Sequence, residues 1–135
     1  MDPLPQLRVA RPTRDLTAAV AFYRLLELPV LASFEGHDGY SGIVLGLPDS
    51  SRQLELVSHE STVPSPTPED QLVVYLGSEP RVEEHAARIR SAGFEPSEPP
   101  NPYWARNGAV SFVDPDGYWL VLSPHAWEAS RPSRR

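Results

Sequence analysis

The sequence predicts an α+β fold of two strand-helix-three-strand (βαβββ) modules. Three observations predict it. The chain has 135 residues, enough for one domain with its own core. Segments of alternating polarity, the mark of half-buried strands, flank two segments with apolar residues at helical spacing. These elements run in the same order twice, about 60 residues apart, a structural repeat with little sequence identity.

The first module spans about 7–59. Residues 7-LRVARP-12 read as a short strand and 13-TRDLTAAVAFYRLLE-27 as a helix. Thr13 or Asp15 can cap that helix, and Leu16, Ala19, Val20, Tyr23 and Leu26 share one face. The strands 30-VLASFEGH-37 and 40-YSGIVLGL-47 are joined by Asp38-Gly39, a pair that favours a tight hairpin. The module closes with 52-RQLELVSH-59. Residues 60-ESTVPSPTPED-70 carry no periodic pattern and read as a linker.

The second module spans about 71–123. It opens with the strand 71-QLVVYL-76 and the helix 79-EPRVEEHAARIRSAG-93. Ser78 is its cap, Pro80 suits its first turn, Gly93 its stop, and Val82, Ala86 and Ile89 form its apolar stripe. Three strands are expected after it: one around 94–97 or 102–104, then 108-GAVSFV-113 and 118-YWLVLS-123, the last two joined by the Asp114-Pro115-Asp116-Gly117 turn. Residues 124–135 form a tail, which Trp127 is expected to dock.

The strand faces point to a site. Leu54 and Leu56, Leu72 and Val74, Leu120 and Leu122, and Leu7 and Val9 form aliphatic faces suited to a covering helix. The opposite faces mix Arg8, Glu55, Val57, His59, Gln71, Tyr75, Trp119 and Val121. Neither a sealed core nor a fully wetted sheet carries such a mixture, whereas a partly wet ligand cavity does.

Composition narrows the chemistry. The absence of cysteine excludes disulfides, thiolate metal sites and cysteine nucleophiles. A net charge of -6 argues against nucleic acid as a partner and is compatible with a cationic ligand. No apolar run is long enough to span a membrane, and 1-MDPLPQLRVARP-12 lacks a signal-peptide layout, so a cytoplasmic location is expected.

The segments 15-DLTAAVAFYRLLELPV-30, 54-LELV-57 and 108-GAVSFVDPDGYWLVL-122, with the repeated element order, resemble the vicinal oxygen chelate superfamily. That superfamily includes glyoxalase I, ring-cleaving dioxygenases, and the bleomycin- and fosfomycin-resistance proteins. The resemblance covers roughly residues 7–123. It implies a half-open curved sheet with helices on the outside, and commonly a homodimer. It also implies metal ligands at the positions of Arg8, Glu55, Gln71 and Val121. Arginine is a permanent cation and valine has no donor atom, so only Glu55 matches, and no metal or other cofactor is expected. Arg8 and Glu55 are expected to pair instead.

The reading is therefore a metal-independent small-molecule binding protein of the bleomycin-resistance type, holding an aromatic or cationic ligand in a homodimer cavity. Its candidate ligand-binding residues are Arg8, Phe34, Tyr40, Glu55, His59, Gln71, Tyr75, Tyr103, Trp104, Trp119 and Val121. Phe34 and Tyr40 are expected at the mouth, and Tyr75, Tyr103, Trp104 and Trp119 in an aromatic wall. The alternative is a glyoxalase-like or dioxygenase-like enzyme, a lyase, isomerase or oxygenase. It would use a divalent metal at an altered site (Glu55, His59, Gln71), or Glu55 with His59 or Arg8 as metal-free acid-base groups. Interaction with another protein is a third use of the mixed face. The carboxylates of the Asp114–Gly117 turn are assigned to turn geometry.

Overall fold

The computed structural model describes residues 5–126. The chain divides into two compact units, Met1–Glu69 with Asp114–Tyr118, and Asp70–Val113 with Trp119–Arg135. Trp127, expected to dock the tail, lies outside the described residues.

The first unit holds β1 (Leu7–Pro12), α1 (Leu16–Arg24), β2 (Val30–His37), β3 (Tyr40–Gly46) and β4 (Arg52–Ser58). The strands form one sheet in the order β1-β4-β3-β2. β1 runs parallel to β4, and the other neighbours are antiparallel. Asp15 is the cap of α1, its carboxylate accepting from the Ala18 N–H at 3.1 Å. Thr13 instead ties the entry turn, donating to the Asp15 carbonyl at 3.1 Å and accepting from the Asp15 N–H at 3.2 Å. The 37–40 hairpin turns through Asp38 (φ 53°) and Gly39 (φ 85°), the two positive dihedrals of a tight primed turn.

α1 packs on β4 and buries Ala19, Phe22 and Tyr23; Leu26 just past its end and Leu54 and Leu56 of β4 are buried as well. Phe22, absent from the sequence-derived stripe, is among the largest fully buried side chains. Removing one such aromatic from water contributes roughly 1.5–3 kcal/mol.

The second unit holds β5 (Gln71–Tyr75), α2 (Glu79–Ser91), α3 (Tyr103–Arg106), β6 (Val110–Val113) and β7 (Trp119–Ser123). Its sheet has three strands in the order β5-β7-β6. Ser78 caps α2 as expected, and Val82, Ala86 and Ile89 are buried where α2 packs on β7.

The two-module α+β architecture is as the sequence predicts, with two local differences. The strand expected at 94–97 or 102–104 does not form, and Tyr103–Arg106 is a short helix. Prolines at 96, 99, 100 and 102 have no N–H to donate, and a ladder-like bond there runs from the Ser97 N–H to the Ser111 carbonyl at 2.8 Å. The second difference is that Leu7 and Val9 are 63% and 52% exposed, although they lie on the helix side of the sheet. β1 is an edge strand, and α1 packs on its neighbour β4.

Candidate functional site

Register places the mixed face of the first sheet. Arg8 lies beside Gln53, Ala10 beside Glu55, and Glu55 beside Val44. The Arg8 guanidinium donates from Nε to Gln53 Oε1 at 2.7 Å and from an Nη to Glu55 Oε1 at 3.4 Å. The Glu55 side chain is 16% exposed and that of Arg8 is 48% exposed, so the ion pair is partly open to solvent. Toward the hairpin the same face becomes apolar. Gly42 lies beside Val57, and the Phe34 ring covers Gly42 so closely that a methyl there would come within 2.6 Å of it. The expected Arg8–Glu55 pair is thus present, with Gln53 as a third member that the sequence reading did not single out.

His59 follows β4 and sits apart from Glu55. Its Nδ1 accepts from the Ser61 N–H at 3.1 Å, with Ser61 Oγ at 2.7 Å, and its ring lies against Tyr40 with centroids 4.2 Å apart. Four residues of strand separate Cα atoms by ~13 Å. The two groups keep separate partners, and no hydrogen bond joins them as an acid-base pair.

On the second sheet, Gln71 lies beside Trp119, Val73 beside Val121, and Tyr75 beside Ser123. Trp104 donates its indole N–H to Gln71 Oε1 at 3.0 Å, and Tyr103 meets Trp104 edge-on at 5.0 Å. Gln71 therefore has Trp104 bonded to its side chain and Trp119 beside it in register. Tyr75, 44% exposed, stands at the other end of its strand, so it is not continuous with that pair. Val121 is fully buried.

A separate buried cluster holds the Asp114–Tyr118 turn in the first unit. Asp114 Oδ1 accepts from the N–H groups of Asp116 (2.8 Å) and Tyr118 (2.9 Å), which shapes the turn as the sequence suggests. Its Oδ2 accepts from the Tyr23 hydroxyl at 2.6 Å, and that hydroxyl accepts from Arg11 at 3.1 Å. The Arg11 guanidinium also lies 4.8 Å from the Tyr118 ring centroid, and Asp116 accepts from the Arg14 N–H at 3.0 Å. Burial, followed by the Asp114 charge, raises the Tyr23 pKa well above its ordinary value. The sequence reading missed Arg11 and Arg14. The available signal for Arg11 was a guanidinium in step with Leu7 and Val9 on an otherwise aliphatic face.

Sequence comparison matches residues 7–57 to the YycE-like N-terminal domain and residues 69–124 to the YycE-like C-terminal domain. The chain belongs to the YycE-like family. YycE of Bacillus subtilis, an uncharacterized protein, is 37% identical over 120 residues, covering 87% of this chain and 86% of the relative. The 2.0 Å crystal structure of a Bacillus subtilis YycE, a protein of unknown function grouped there with glyoxalase/fosfomycin resistance proteins, superposes with a TM-score of 0.84. It is 32% identical, with 94% of this chain and 93% of that one covered. Glyoxalase I of Leishmania major shares the fold at a TM-score of 0.70 and 22% identity, covering 91% and 88% of the two chains. FosX of Listeria monocytogenes, complexed with Mn(II) and a phosphonic acid, shares it at 0.66 and 14% identity, covering 93% and 94%. The YycE-like chain is thus a member of the vicinal oxygen chelate superfamily, as its motifs suggest.

At the positions where the resemblance implies metal ligands, the side chains present do not make up the donor set of a divalent metal. Glu55 is bound by a guanidinium, Gln71 Oε1 already accepts from an indole, and Val121 offers no donor. Among the described residues, no three His, Cys, Asp or Glu side chains gather into a group that could hold one.

Proposed function

We propose that this YycE-like protein binds an aromatic or cationic small molecule without a metal and without turning it over. It would do so as a cytoplasmic homodimer, in the manner of a bleomycin-resistance protein. The observation that carries this reading is the Arg8–Glu55 pair, which puts a fixed cation where the superfamily's enzymes take a metal ligand. The supporting surfaces are the Phe34–Val57 end of the first sheet and the Trp104–Gln71–Trp119 group of the second. Aromatic faces of this kind favour planar or cationic partners, and the acidic net charge of -6 favours a cation at longer range.

Native mass spectrometry of protein purified without chelator tests this, with and without added Ni, Zn, Mn and Fe(II). The expected result is a metal-free dimer under every condition, carrying co-purified or screened ligand at stoichiometric occupancy. A stoichiometric metal lost in Glu55→Ala would overturn it. Turnover of a bound ligand that disappears in Glu55→Gln would replace it with an enzyme that uses Glu55 as an acid-base group.

A further inference from the structure

A second site is suggested away from the Arg8–Glu55 pair, wholly within the first unit. There β1 hands over to α1, beside the residues that follow β4. An open recess of about 480 Å³ lies there, lined by Arg14, Gly39, Ser58, His59, Glu60 and Thr62 among others. Three observations bear on its chemistry.

The His59 ring is oriented by its contacts with Ser61 and Tyr40. The Ser61 backbone N–H can only donate, so Nδ1 is the acceptor and the neutral ring carries its proton on Nε2. Tyr40 packs against the ring and fixes its plane. The Nε2–H then faces Gly39, where a methyl group would stand 2.9 Å away. Glycine leaves room for this close approach of the ring, and no described residue accepts from Nε2.

The second observation is Arg14. Its backbone is pinned by the bond from its N–H to Asp116 at 3.0 Å, while the residue as a whole is exposed. Among the described residues its guanidinium forms no ion pair. The third is the wall of the recess, where Ser58 and Thr62 add hydroxyl groups. Glu60 is the one carboxylate among the lining residues, and it is exposed.

We propose that this recess is a binding subsite for an oxyanion, a phosphate or carboxylate group of a small molecule, held by Arg14 and the His59 Nε2–H. A permanent cation and an oriented ring donor lining one recess suit a group with several acceptor lone pairs. The site does not rest on the metal-free reading above: His59, a candidate for that cavity by sequence, keeps partners separate from those of Glu55 in the structure.

The test is an NMR titration of the ¹⁵N-labelled full-length protein with sodium phosphate and, separately, with sodium acetate. pH is fixed, and chloride holds the ionic strength constant. Saturable shifts are expected at the His59 side-chain nitrogens and at the Ser58 and Thr62 amides. Saturation by phosphate alone assigns a phosphoryl group, and saturation by acetate a carboxylate. Arg14→Gln, a change at an exposed side chain, should weaken binding about tenfold or more, with partial recovery in Arg14→Lys. Glu60→Gln should tighten it. Shifts that grow linearly with either salt, or saturation unchanged in Arg14→Gln, would overturn the proposal. Neither outcome bears on the metal content read by mass spectrometry, so the two readings fail separately.

Discussion

At the residue scale, the most exacting position is Tyr23, whose hydroxyl is buried between the Asp114 carboxylate and the Arg11 guanidinium. Tyr23→Phe keeps the ring and removes one donor and one acceptor, so both charged neighbours lose a partner inside the protein. Urea unfolding should show a loss of about 1–3 kcal/mol. The same residue sets an alkaline limit. Its folded pKa lies well above the ordinary 10.0, chiefly through burial, so the native state keeps a proton that the unfolded chain releases. This contribution is fully present below about pH 10 and is lost as pH rises toward the folded value. Stability of the parent protein should therefore decline above about pH 10, and the slope should flatten in Tyr23→Phe. Arg8–Glu55 makes the contrast. With the Arg8 side chain 48% exposed, solvent screens the pair, and Glu55→Gln should change stability by less than about 1 kcal/mol in the same assay. If Glu55 matters, it matters to ligand.

At the element scale, the caps give a graded expectation. The Asp15 cap bond measures 3.1 Å and the Ser78 cap bond 3.4 Å. Asp15→Ala should lower stability by about 1 kcal/mol, with Ser78→Ala costing less, as read from shifts in denaturant midpoint. What the sequence made legible here follows from which patterns are local. The alternation in 53-QLELVSH-59 is a property of one strand, and it correctly separates Leu54 and Leu56 from Glu55. Which neighbour covers a face is not local. The alternation of Leu7 and Val9 matches a covered strand, yet β1 lies at the sheet edge and both residues remain exposed. The missing strand of the second module was legible in a different way. Four prolines within 96–102 already deny a ladder its donors, so the repeat argument overrode a local signal that was correct.

At the scale of the whole molecule, ligand affinity is the quantity to follow. If the Trp104–Gln71–Trp119 group is part of the binding surface, Trp119→Ala should weaken ligand about tenfold or more by calorimetry. Tyr75→Ala should have a smaller effect, because Tyr75 stands at the far end of its strand. Equal and unchanged affinities in both would remove the aromatic surface from the reading. The candidate site was only partly legible for a physical reason. Pairings such as Arg8 with Gln53 and Trp104 with Gln71 join residues 45 and 33 positions apart, and no spacing rule in one sequence announces them.

The placement of Asp114–Tyr118 within the first unit has a consequence for how the chain is made. Translation delivers residues at roughly 5–20 per second, from the N-terminus onward. The β1-β4-β3-β2 sheet is complete in sequence by Ser58, but the Tyr23 hydroxyl receives Asp114 only after some fifty further residues have left the ribosome. Until then the Tyr23 hydroxyl of a nascent chain has no Asp114 carboxylate to donate to. Stalled chains ending before residue 114 should accordingly remain protease-sensitive in their first half, and those that clear residue 118 from the exit tunnel should become resistant.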